Sequence, residues 1–136
     1  MSVGVLLVTH GKLGHFLLDT MRDMMGRPEG ELPLAADVLE VRTVQAHDVL
    51  IKQGARMIDR LDSGSGVLIL TDAFGSTPSN IANKLSTRNR TAVVAGINLP
   101  MMVSIFNYPR LTLDEMTRKA VESGQRGIVA CVAEKP

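Results

Sequence analysis

Residues 3–8, Val-Gly-Val-Leu-Leu-Val, form a nearly continuous apolar run that stops at Thr9-His10-Gly11. A half-solvated strand alternates apolar and polar side chains. An unbroken, valine-rich run of strand length predicts instead a strand covered on both faces, as in a parallel sheet between helical layers. A chain built around such a strand must supply helices for both faces.

The remaining sequence does so. Leu13, Phe16, Leu17, Met21, Met24 and Met25 recur at helical spacing opposite Asp19, Arg22 and Asp23, and Gly26 with Pro28 ends that helix. The spacing assigns Met21, Met24 and Met25 to the core. Residues 35–41 predict a second strand. Leu50, Gly54, Met57, Ile58 and Leu61 mark a second helix, closed by Ser63-Gly64-Ser65-Gly66. Residues 67–70 predict a third buried strand running into Thr71-Asp72. Pro78 opens a helix capped by Ser76 or Thr77, with Ile81, Ala82 and Leu85 facing inward. Residues 91–95 predict a fourth strand, and residues 98–102 lead into a short helix. Thr112-Leu113-Asp114-Glu115 reads as a capping box opening a helix that Gly124 closes, and residues 128–132 predict a last strand. This alternation, with no repeat or linker, predicts one α/β domain over residues 1–136: a three-layer, flavodoxin-like fold, its sheet mostly parallel in the order 2-1-3-4.

In such sheets ligands bind beyond the carboxyl ends of the strands, where strand order reverses. There the predicted order places His10, after the first strand, beside Asp72, after the third. A carboxylate behind one ring nitrogen fixes the tautomer, frees the lone pair of the other, and stabilises positive charge on the ring during attack on phosphorus. Gly75 permits an unusual turn, and Ser76 and Thr77 place amides and hydroxyls at a helix start, where the helix dipole suits a phosphoryl group. Gly11 lets the chain turn beside His10, and Thr9 is expected to help shape the pocket. Met101 and Met102 are candidates for an adaptable docking edge.

Other chemistries find little support. The net charge is +1 with no Lys/Arg block, and aromatics make up 3% of the chain, so nucleic acid is not an expected partner. His10, His15, His47 and Cys131 lack metal-ligand spacing, and there is no Walker loop, dinucleotide fingerprint or G-x-S-x-G elbow. No metal or cofactor is therefore expected. The single cysteine, the lack of a signal-like N-terminus and the lack of a long apolar run fit a cytoplasmic protein.

The motifs "THGKLG", "TDAFGSTPSN" and "AGINLPMMVS", in that order, with a closing "RKAVESGQRGI", resemble the mannose-type IIA family of the bacterial phosphoenolpyruvate:sugar phosphotransferase system. The resemblance spans essentially the whole chain. It implies a phosphotransferase in which His10 accepts a phosphoryl group from HPr and passes it to a IIB protein. It also implies that Asp72 orients His10 and that Ser76 and Thr77 line the phosphoryl pocket. A homodimer is implied too, with residues 128–132 as an antiparallel edge strand exchanged between subunits. Phe74 stands where a tryptophan is common in the family, which marks it as a partner-docking rim residue. With no IIB sequence fused, the IIB partner is expected to be a separate protein, and peripheral association with a membrane permease is compatible with that role. A regulatory sensor, binding a partner according to His10 phosphorylation without transporting sugar, is the second reading. A small hydrolase using Ser76 is the third.

Overall fold

The computed structural model describes residues 2–87 and 90–134. In chain order it contains β1 (Gly4–His10), α1 (Leu13–Met25), β2 (Ala36–Val41), α2 (His47–Leu61), β3 (Val67–Thr71), α3 (Thr77–Leu85), β4 (Thr91–Ala95), α4 (Leu99–Asn107) and α5 (Leu113–Arg126). The sheet is four-stranded and parallel throughout, in the predicted order β2-β1-β3-β4.

The two faces of β1 explain why its sequence shows no alternation. Val5 and Leu7, with Val38, Leu68, Leu70 and Val94, bury against α1, α4 and α5. Leu6 and Val8, with Leu39, Val41, Val67 and Ile69, bury against α2 and α3. Parallel crossovers are right-handed, so the chain's step from β1 out to β2 and its return past β1 to β3 must use opposite faces of the sheet. Reversal therefore falls between β1 and β3.

Local chemistry fixes the helix ends. Gly26 adopts the left-handed conformation (φ 61°) that stops α1, and its N–H donates to the Arg22 carbonyl. Thr112 and Glu115 form the predicted capping box at the start of α5, with bonds of 3.3 and 3.0 Å.

Three expectations change. On α1 the buried stripe is Gly14, Leu18 and Met21, flanked by the partly buried Leu17 and Met25, so Leu13, Phe16 and Met24 face solvent. Gly14 sets this rotation: a Cβ there would lie 2.7 Å from the Val38 side chain, so the helix meets the sheet at that point. Gly124 does not close α5, which runs on to Arg126. Gly124 is buried in the last turn, where a side-chain carbon would stand 3.0 Å from the Met101 methyl, so α5 lies close against α4 there. Residues 128–132 form no strand within their own chain. Ile128, Val129 and Val132 extend past α5 largely exposed, so the antiparallel edge strand is missing from this sheet and β4 stands at its edge. Among the described residues, no helix is long and apolar enough to cross a membrane.

Candidate functional site

His10 ends β1 and Asp72 directly follows β3, so the reversal point of the sheet brings them together. His10 Nδ1 lies 2.7 Å from Asp72 Oδ2, and the His10 backbone N–H donates to the same oxygen at 2.9 Å. Oδ1 accepts the Ala73 N–H at 2.9 Å. Burial alone would push the Asp72 carboxyl up. The two His10 donors, the Ala73 amide and the nearby ring outweigh it and hold the carboxyl below the usual aspartate range.

An ionised Asp72 can only accept, so Nδ1 carries the ring proton and the Nε2 lone pair is left free. The two side chains differ in exposure, 56% for His10 and 11% for Asp72. The carboxylate is sheltered and the imidazole presented. Among the described residues, no three His, Cys, Asp or Glu side chains gather as metal ligands would.

The turn into α3 lies at the same sheet edge. Gly75 takes a positive φ of 83°, with its N–H on Ser79 Oγ at 3.3 Å. The Ser76 N–H and hydroxyl both donate to the Ala73 carbonyl, at 3.2 and 2.6 Å. That hydroxyl therefore braces the loop and does not cap the helix. Thr77 is exposed at the first position of α3, and Pro78 brings no N–H. The helix start thus offers amide donors and the positive end of its dipole to solvent.

Thr9 is placed differently from the expectation. It is fully buried, and its hydroxyl accepts the Gly14 N–H at 2.8 Å, pinning the start of α1 to the end of β1. A Thr9→Val substitution would orphan a buried N–H. Thermal unfolding should show a loss of about 1–3 kcal/mol, while Thr9→Ser should recover most of it. Phe74 is 87% exposed in the turn between Asp72 and α3. Met101 and Met102 are not at the surface. Both are buried on the inward face of α4, so the docking edge predicted there is core instead.

One arrangement beside His10 escaped the sequence reading. His15 Nε2 lies 3.1 Å from Glu40 Oε1, and the other Glu40 oxygen takes Arg42 at 3.2 Å. The i, i+2 spacing of Glu40 and Arg42 at a strand end was the available signal, because alternate strand residues share a face. A hollow of about 570 Å³ lies between α4 and α5, with Met24 of α1 at its wall, and holds none of the site residues. His10 itself stands exposed at the end of β1 and not in an enclosed cavity.

Residues 4–121 match the EIIA-man family, described as the PTS system fructose IIA component. The chain is 28% identical over 137 aligned positions to the mannose-specific EIIAB component of the phosphotransferase system in Escherichia coli K12. That alignment covers 98% of this chain and 41% of the relative, so the chain spans about two-fifths of the curated protein it matches. In structure it resembles the mannose/sorbose-specific IIA subunit from Enterococcus faecalis, with a TM-score of 0.81 at 25% identity, covering 100% of this chain and 99% of that one. The PTS IIA protein associated with the fucose utilization operon of Streptococcus pneumoniae shares the fold, with a TM-score of 0.77 at 22% identity, covering 96% of each chain.

Proposed function

This chain belongs to the EIIA-man family of phosphotransferase-system IIA components, and from that premise we propose that it carries a phosphoryl group on Nε2 of His10. The group is taken from HPr and handed on to a IIB partner. The observation that carries this reading is the Asp72 carboxylate on Nδ1, which leaves Nε2 as an exposed nucleophile.

In the accepting step the Nε2 lone pair forms the new N–P bond as the donor's N–P bond breaks. The Nδ1 proton stays hydrogen-bonded to Asp72, and the ring carries the positive charge that Asp72 balances. Phosphoryl transfer asks mainly for alignment and charge stabilisation. Thr77, with the amides at the start of α3, and the loop braced by Ser76 and Gly75 are the groups suited to the phosphoryl oxygens. Phe74 supplies an apolar contact at the rim for either protein partner. The reading is tested by incubating the protein with phosphoenolpyruvate, enzyme I and HPr. An acid-labile, alkali-stable phosphoryl group is expected, and its absence would remove the carrier role.

The same reading includes a homodimer in which residues 128–132 add a strand to β4 of a second copy. It is supported by the edge position of β4 and by the exposure of Ile128, Val129 and Val132. Such a strand would cover a sheet edge that otherwise invites mispairing. Sedimentation should report a dimer, and deletion from Ile128 onward should leave a monomer. A monomeric parent protein would remove the exchange.

A further inference from the structure

We propose that Arg42 binds the phosphoryl group carried on His10, and that Glu40 positions its guanidinium for that contact; the proposal rests on the carrier reading of His10. Val41 pairs in register with His10, and the Val41 carbonyl accepts the Gly11 N–H at 3.0 Å. Arg42, the next residue, is thus set against the turn that carries the nucleophile. Its NH1 atom lies 3.8 Å from where a side-chain carbon on Gly11 would stand. Gly11 itself has a positive φ of 49° and no side chain to separate the guanidinium from the turn.

The arginine is held in place. Its NH2 donates to Glu40 Oε2 at 3.2 Å, and Glu40 Oε1 is taken up by His15 Nε2 at 3.1 Å. The Arg42 backbone closes a tight turn with Gln45, which accepts its N–H at 3.2 Å and donates back to its carbonyl at 3.1 Å. NH2 of the guanidinium is therefore engaged by Glu40. NH1 remains turned toward the His10 loop on a side chain that is 47% exposed. A planar cation with donors to spare suits a phosphoryl dianion, whose oxygens accept bidentate N–H bonds. Asp72 flanks β1 on the β3 side and Arg42 flanks it on the β2 side. The carboxylate balances the charge on the ring, and the guanidinium balances the charge on phosphorus.

Phosphoramidate separates this role from partner docking, because it donates a phosphoryl group without a protein surface. Its P–N bond breaks with loss of ammonia as Nε2 bonds to phosphorus. With phosphoramidate, Arg42→Gln should slow labelling of His10 about tenfold, as loss of a charge-assisted contact does. Arg42→Lys should recover part of the rate. Glu40→Gln, which keeps Arg42 but loosens its hold, should give a smaller loss, and Lys12→Gln should give none. The proposal is overturned if Arg42→Gln slows transfer from phospho-HPr alone, since Arg42 would then read the partner. It is overturned equally if both donors label the variant at the parent rate. Failure of the parent protein to label at all would instead strike the carrier reading.

Discussion

His10→Gln should leave no phosphoryl label on the protein, from either HPr or a small donor, while the fold stands. Glutamine can still reach Asp72 with an amide N–H, and the backbone N–H of residue 10 keeps its bond to Asp72 Oδ2. The side chain replaced is more than half exposed, so little packing is lost and stability should change by about 0.5 kcal/mol or less. The amide nitrogen of glutamine is delocalised into its carbonyl and has no lone pair to offer phosphorus. The expected fall is therefore to background rather than partial. His15 and His47 remain in the variant as internal controls. His15 holds its Nε2 against Glu40, and among the described residues no ion pair places a carboxylate on His47. Phosphate on His47 in the variant would show that acceptance needs no carboxylate to fix the tautomer, and phosphate on His15 that a ring held by Glu40 serves as well.

The switch-point pair was legible in the sequence because it follows from topology. Once β1 and β3 read as buried parallel strands, their ends had to meet at the reversal of the sheet, and the residues standing there were His10 and Asp72. Burial of individual side chains was less legible. Thr9 and Met101 look like surface residues by their neighbours, yet each points inward because the strand or helix beneath it alternates on a period fixed elsewhere. Gly14 sets the rotation of α1, and its significance is a 2.7 Å approach to Val38, a residue of a different strand. Gly124 misled in the same way, since its role is contact with Met101 of α4 and not chain termination. Residues 128–132 carry a strand-like pattern, but strand formation needs a partner edge, and no position in the sequence says which chain supplies it.

Asp72→Asn should slow phosphoryl acceptance by about a hundredfold or more, through the tautomer of His10 rather than its position. Oδ2 takes both His10 donors and Oδ1 takes the Ala73 N–H, so all three groups facing this side chain donate. An amide has only one accepting end. Whichever way the new side chain turns, its NH2 meets an N–H, or the ring must shift its proton to Nε2 and surrender the lone pair that the proposed carrier step uses. The same change should alter stability in acid. Asp72 is held below its ordinary range, so its contribution is fully present above about pH 4 and is lost as the pH falls through the lowered value. The uncharged amide cannot contribute there. The variant should melt at a lower temperature than the parent at neutral pH, and the gap should narrow as both are taken below about pH 4. Nitrogen-15 shifts of the His10 ring at neutral pH would report the tautomer directly, with Nδ1 protonated in the parent and mixed or reversed in the variant. Parent-like acceptance together with the loss of acid-dependent stability would reduce Asp72 to a tie between β1 and β3, leaving the exposed imidazole to act without it.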